Sequence, residues 1–101
     1  MSATVEIRRN VARIILSGAL DFSTQGDLHR ANEEALAADS VREIDIDLAN
    51  VTFVDSSVIR AWLLLQQKAV TQGKVLVLLN IGDSIRAIFD IGGFDKVFTI
   101  R

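Results

Sequence analysis

The sequence contains neither cysteine nor proline. The absence of cysteine excludes disulfide bonds, thiolate nucleophiles and cysteine-ligated zinc, and it fits a protein kept in a reducing compartment. Without proline, and without any stretch rich in glycine and serine, the chain has no segment typical of an interdomain linker. We therefore expect one domain over residues 1–101, held together by side-chain packing alone.

The sequence also has no large excess of charge of one sign. Eleven Lys and Arg residues stand against 13 Asp and Glu residues, for a net charge of −2, and the basic residues form no block. Charge-driven binding of nucleic acid is therefore not expected. No apolar run approaches the roughly 18 residues that a bilayer span requires, and the first ten residues carry charges where a secretion signal has its apolar stretch. We expect a cytoplasmic protein with no membrane partner.

The hydrophobic residues, which make up 50% of the chain, follow alternating strand and helix patterns. Period-two alternation over Thr4–Arg8 and a branched run over Val11–Ser17 predict an N-terminal hairpin. Further strands are predicted at Glu43–Leu48, Lys74–Asn80 and Val97–Ile100. Helices are predicted to start at Ser23 or Thr24, at Asp55-Ser56-Ser57 and at Asp83-Ser84, with glycine stops at Gly73 and Gly92-Gly93. This ββαβαβαβ order predicts an α/β domain with a mixed, mostly parallel sheet and helices packed against it.

Two loops occupy the positions at which such folds carry their function. In open α/β sheets the working surface lies at the carboxyl ends of the strands. The residues that follow the second and third predicted strands are Gly18–Thr24 and Val51–Ser57. We expect these two loops to form the functional surface.

Residues suited to catalysis or to metal binding are few. The single histidine, His29, falls within the first predicted helix, where a solvated surface position is expected. Neither Ser56 nor Ser57 has a histidine placed to act as a base. Asp45 and Asp47 alternate along a strand without histidine or further acids, so they are interpreted as solvated strand residues and not as metal ligands. The sequence predicts no enzyme, no metal and no cofactor.

The segment from Val51 to Ser57 carries the clearest functional signal. It places hydroxyl groups at the start of a helix, where unpaired N–H groups and the helix dipole favour negative charge. A phosphate on Ser56 is one interpretation, because it would add about −1.5 to −2 charge beside Asp55 and would repel a partner that binds the unmodified loop. Simple capping of the helix by Asp55, Ser56 or Ser57 is the other.

The helix behind this loop is apolar on two sides. One stripe consists of Val58, Ala61, Trp62, Leu65 and Ala69, and the other of Ile59, Leu63 and Val70. If the first stripe covers the sheet, the second is left for a protein partner, for homodimerisation or for a wide core contact. Arg60, one turn after Ser56, is placed to pair with a phosphate or with Asp55.

Taken together, these segments resemble STAS domains, in particular the single-domain anti-sigma factor antagonists of bacterial partner-switching systems. Ser17–Thr24 is similar to the family's G-x-L-D-x-x-T segment. Ile46–Leu48 and Val51–Ser57 are similar to its strand and D-S-S/T loop. Gly73–Leu76 and Ile91–Phe98 extend the match in order over nearly the whole chain.

The resemblance implies a mechanism. A serine kinase, itself the anti-sigma factor or its equivalent, would phosphorylate Ser56, and the unphosphorylated protein would bind that kinase and free its other client. A PP2C-type phosphatase would reset the cycle. Asp55 would orient the acceptor hydroxyl, and Asp21 and Thr24 would lie in the neighbouring loop of the docking surface. Ser57 would act as a cap or a secondary acceptor.

The chain also departs from the family pattern at two places. At the expected docking surface, the usual Gly-Leu-Gly of the family is replaced by Val58, Ile59 and Arg60, which adds bulk and a charge. We expect Val58 and Arg60 to contact the partner there. The further helix of many relatives has no counterpart after Arg101, and a homodimer would cover the face left open. A STAS interaction or scaffold subunit that does not cycle phosphate is the alternative function.

Overall fold

The computed structural model describes all residues from 1 to 101 and contains a five-stranded sheet with three α-helices. The strands are β1 Ser2–Arg8, β2 Val11–Leu20, β3 Glu43–Val54, β4 Val75–Leu79 and β5 Thr99–Ile100; the helices are α1 Gln25–Ala37, α2 Ser56–Thr71 and α3 Asp83–Gly92. Short 3-10 turns lie at Phe22–Thr24 and Phe94–Lys96. The predicted order of elements is confirmed.

The sheet has the strand order β1-β2-β3-β4-β5, and only the β1–β2 pair is antiparallel. Three successive crossovers therefore step in the same direction across the sheet. Because such connections are right-handed, all three helices lie on one face. Burial agrees, since Ile44, Ile46 and Leu48 of β3 belong to one core cluster with residues of α1, α2 and α3. The opposite face of the sheet carries no helix.

The buried arc of α2 is wider than one stripe. Trp62, Leu65 and Ala69 are buried as predicted, but Ile59 is buried too, and Leu63 packs against the core. Of the three explanations left open for the second stripe, the structure shows the wide core contact, and only Val70 of that stripe is exposed. The reason is that α2 contacts both β4 and α1, so two directions around the helix face protein.

Strands β2 and β3 are longer than predicted. Irregularities in their register, between Ile15 and Ser17 and between Gly18 and Ala19, allow the pairing to continue to Leu20 opposite Val54. Gly18 has φ +83°, a left-handed conformation that favours glycine. As a result, most of the predicted loop from Val51 belongs to β3.

The chain after α3 contains less strand than predicted. Gly93 adopts a left-handed φ of +73° at the end of α3, and a 3-10 turn follows it. Phe98 is buried and lies 5.8 Å, centroid to centroid, from the ring of Phe89. Only Thr99 and Ile100 then pair with β4, because the preceding residues pack against α3 and its following turn.

Lys74, the residue after the glycine that ends α2, is buried. Its ammonium donates hydrogen bonds to the carbonyl oxygens of Leu36, at 2.6 Å, and Ala38, at 3.1 Å. These carbonyls lie at the end of α1, where the helix dipole favours a cation. Lys74 thus joins the end of α1 to the start of β4.

No helix of the structure is both long and apolar enough to cross a membrane.

Asp45 corrects the prediction of solvated strand acids. It lies on the helix-free face of β3, yet it is only 5% exposed. It is paired in register with Arg13 of β2 and Val77 of β4, and its Oδ2 lies 3.7 Å from the Arg13 guanidinium. Asp47 is half-buried, and its carboxylate accepts hydrogen bonds from the N–H of Ala49 and from Asn80.

Candidate functional site

The two predicted loops meet at one edge of the sheet. Leu20 and Val54 are paired at the ends of the neighbouring strands β2 and β3, so Asp21 and Asp55 follow side by side. The backbone N–H of Asp55 donates to the carbonyl of Leu20 at 3.2 Å. The parallel pairing therefore brings together residues that are more than 30 positions apart in the chain.

Asp55 joins these loops through its carboxylate. Its Oδ1 accepts hydrogen bonds from the Ser57 hydroxyl, at 2.5 Å, and from the Val58 N–H, at 3.1 Å. Its Oδ2 accepts one from the N–H of Phe22, at 3.1 Å. The Ser57 hydroxyl and these backbone donors stabilise the carboxylate and hold the pKa of Asp55 below its usual value. Of the three predicted caps, Asp55 is the one that caps α2.

Asp21 and Thr24 shape the neighbouring turn. The Asp21 carboxylate accepts a hydrogen bond from the N–H of Ser23, at 2.9 Å. The Thr24 hydroxyl accepts one from the N–H of Asp21 and donates to the carbonyl of the same residue. This reciprocal capping box fixes the turn at Phe22–Thr24 directly before α1.

The two serines of the site have different surroundings. The Ser57 hydroxyl donates to Asp55, accepts from the Gln25 amide at 3.2 Å, and is half-buried. Ser56 is exposed, and its hydroxyl takes part in no hydrogen bond. The carboxylate of Asp55 thus contacts the hydroxyl of Ser57 and not that of Ser56. Ser56 carries the free nucleophilic hydroxyl at the start of α2.

Val58 and Arg60 have opposite environments. Val58 is completely buried, which corrects its prediction as a partner contact; its backbone N–H serves the cap instead. Arg60 is exposed and forms no ion pair within 4.0 Å, so it does not pair with Asp55 here. His29 is exposed, as predicted.

Two aromatic side chains beside the site were missed from the sequence. Phe22 is 77% exposed in the turn whose N–H is bound by Asp55, and Phe53, two residues before Asp55, is 48% exposed. Phenylalanine in such a pattern is ordinarily a core residue. The only sequence signal was that each lies within one of the two predicted loops, Gly18–Thr24 and Val51–Ser57.

Comparison with known proteins gives the family. The profile of the family described as "Mlab, STAS domain" matches residues 3–100, almost the whole chain. The chain belongs to this family. As a STAS domain, it has its capped serine loop and its Asp21 turn at the carboxyl ends of neighbouring strands.

Two relatives share this STAS domain over most of their length. A STAS-domain containing protein of Pseudomonas aeruginosa is 32% identical over 87 residues, covering 86% of this chain and 84% of the relative. BtrV of Bordetella bronchiseptica, named as an anti-sigma factor antagonist, is 30% identical over 93 residues, covering 84% of this chain and 79% of the relative.

Solved structures of other proteins share the fold of this chain. An anti-sigma factor antagonist from Mycobacterium paratuberculosis is 25% identical, with a TM-score of 0.85 over 98% of this chain and 83% of its own. The Bacillus protein SpoIIAA shares the fold at 21% identity in two solved forms. Its unphosphorylated form gives a TM-score of 0.76 over 99% of this chain and 87% of its own; its phosphorylated form gives 0.75 over 99% and 91%. The fold is therefore that of these solved anti-sigma factor antagonists.

Proposed function

We propose that this STAS domain is a partner-switching regulator controlled by reversible phosphorylation of Ser56. Its general role as an anti-sigma factor antagonist-like protein follows from the fold and from the relatives' names. The observation that carries the finer proposal is the contrast between the serines: the Ser56 hydroxyl is exposed and without a hydrogen bond, whereas Ser57 is held by Asp55 and Gln25.

The position of Ser56 explains how a phosphate would act. It is the first residue of α2, where free N–H groups and the helix dipole favour an anion. A phosphate would add about −1.5 to −2 charge next to Asp55. Arg60, exposed and without an acidic partner, is available one turn further along the helix. A partner that docks on the neutral serine would lose contact and would face repulsion.

The partners proposed for this cycle are a kinase and a phosphatase. The unphosphorylated protein would bind an anti-sigma factor-type serine kinase, and a PP2C-type phosphatase would remove the phosphate. Support comes from SpoIIAA, which shares the fold and has been solved with and without its phosphate. In this proposal the docking surface includes Asp21, Thr24 and Ser57, which hold the two loops in shape. Ser56, Arg60 and the exposed Phe22 are its most accessible residues.

A STAS subunit that scaffolds a complex without cycling phosphate is the second candidate. The substitution of Val58, Ile59 and Arg60 for Gly-Leu-Gly favours it. Because Val58 and Ile59 are buried, Arg60 supplies all of the added exposed bulk and charge near Ser56. A homodimer that uses the helix-free sheet face is compatible with either candidate.

Phosphate mapping tests the first candidate. In the protein isolated from its native host with phosphatases inhibited, intact mass and site mapping should find one phosphate, on Ser56. Ser56→Ala should abolish it, and because that hydroxyl makes no hydrogen bond, stability should change by less than about 0.5 kcal/mol. Ser57→Ala is the matched control and should leave the phosphate in place. A protein without phosphate under several growth conditions would favour the scaffold.

Exposure of Phe22 leads to a binding prediction. Replacing Phe22 by alanine should weaken the complex with whichever protein co-purifies with the wild type by about tenfold or more, since aromatic anchors dominate such interfaces. Calorimetric titration would measure this affinity. Val70→Ala is the control, because Val70 is 68% exposed but lies in the last turn of α2. Equal losses in the two variants would contradict docking at the Phe22 turn.

A further inference from the structure

The helix-free face of the sheet carries a row of charged side chains across neighbouring strands. Glu6 of β1 is paired with Arg13 of β2, and Arg13 with Asp45 of β3. Glu6, Arg8, Val11, Arg13 and Asp45 line an open cavity of about 420 Å³ on this face. This surface is separate from Ser56, which lies beyond the opposite ends of the same strands.

Asp45 is the one buried member of the row, and its carboxylate accepts no hydrogen bond. Its Oδ1 is fully buried and has no partner. Its Oδ2 lies 3.7 Å from the Arg13 guanidinium, too far for a hydrogen bond. A buried carboxylate without a donor is costly, and protonation removes that cost.

The group beside Asp45 is another carboxyl group. Glu43 lies two residues earlier on the same face of β3, so the two carboxyl groups are neighbours on the sheet surface. Two carboxylates at this separation repel each other, but one shared proton converts the contact into a hydrogen bond. Glu43 is itself 3.5 Å from Arg101, which follows β5.

We propose that Asp45 and Glu43 share one proton and that this pair makes the helix-free face of the sheet a pH-sensitive surface. Uptake of the proton forms a carboxyl–carboxylate hydrogen bond along β3 and changes the charge of the face by one unit. Loss of the proton leaves two adjacent anions, which attract the guanidinium groups of Arg13 and Arg101 more strongly. The position of Arg101, and of the two-residue strand β5 before it, is thereby linked to pH.

The surrounding groups agree with this assignment. Burial and Glu43 raise the pKa of Asp45 to about 6, and Arg13 and Arg101 oppose the shift only in part. The charged residues on this face are Glu6 and Arg8 of β1, Arg13 of β2, Glu43 and Asp47 of β3, and Arg101; β4 contributes only Val75, Val77 and Leu79. None of these donates a hydrogen bond to Asp45.

Carboxyl-detected NMR on the intact protein tests the proposal. Titration from acid to neutral pH should show the side-chain carboxyl carbon of Asp45 with a midpoint near 6, mirrored by the amides of Thr99 and Arg101. Glu43→Gln should lower the Asp45 midpoint by about one pH unit, because it removes a charge and an acceptor. Asp47→Asn, on the same face and strand, is the control and should leave it unchanged.

Two results would overturn the proposal. One is an Asp45 midpoint close to 4 in the wild type, which needs no variant to fold. The other is an Asp45 midpoint that is the same with and without the Glu43 carboxyl, which would assign the shift to burial alone.

Discussion

Replacing Leu65 by alanine should lower the free energy of unfolding by about 2 to 5 kcal/mol. Leu65 is 2% exposed on the face of α2 that packs in the core. Its loss removes buried apolar area and leaves a cavity that the neighbouring helix and strands fill only in part.

The adjacent residue supplies a matched control. Leu64 is 51% exposed, so the same change to alanine there should cost less than about 1 kcal/mol. Both variants keep Trp62, the single tryptophan, so its fluorescence reports urea unfolding in each. Equal losses at the two positions would mean that α2 is rotated about its axis relative to this structure.

Replacing Asp45 by asparagine should stabilise the protein at neutral pH by about 1 to 3 kcal/mol. The pKa of Asp45 is raised from 3.8 to about 6 in the folded state. Between these values the folded protein holds a proton that the unfolded chain has released. The stability of the wild type therefore falls as pH rises through this window, and above about pH 6 the full cost remains. Asparagine carries no charge and donates an N–H to Glu43 as the protonated acid would.

The pH dependence distinguishes this effect from a general one. The difference between Asp45→Asn and the wild type should shrink as pH falls below about 6 and vanish below about pH 3, where both folded and unfolded Asp45 are protonated. Thermal unfolding followed by circular dichroism at several pH values measures it. Asp47→Asn is the control and should not stabilise, because Asp47 already accepts two hydrogen bonds. A constant gain across the whole pH range would contradict the raised pKa as its source.

The local sequence pattern was sufficient to predict an element where its buried residues follow from their spacing along the chain. The alternation in Thr4–Arg8 and the apolar run of β4 predicted their strands, because a strand buries one face or both according to period two. Gly73 and Gly93 were identified as helix stops, and both adopt the left-handed backbone that glycine permits. The serine loop and the Asp21 loop were also identified from the sequence as one surface.

Contacts between segments that are distant in the chain could not be predicted from the sequence. The length of β2 and β3 depends on register shifts that only the pairing of two strands defines. The turn that carries Phe22 is bound through its N–H to the carboxylate of Asp55, which lies 33 positions later. Ile59 is buried because α2 lies against both α1 and β4, and a single helix does not specify its neighbours.

The sequence by itself determined the order of the elements, the α/β class, the two loops that follow β2 and β3, and the family, because each depends on residues close together in the chain. Tertiary structure decided which serine is free, because the Ser57 hydroxyl donates to Asp55 and accepts from Gln25, whereas the Ser56 hydroxyl contacts neither. It also decided that Asp45 is buried, because β2 and β4 place Arg13 and Val77 on either side of it. Hydrogen bonding and solvation are properties of the surroundings in space, and folding brings those surroundings together from separate parts of the chain.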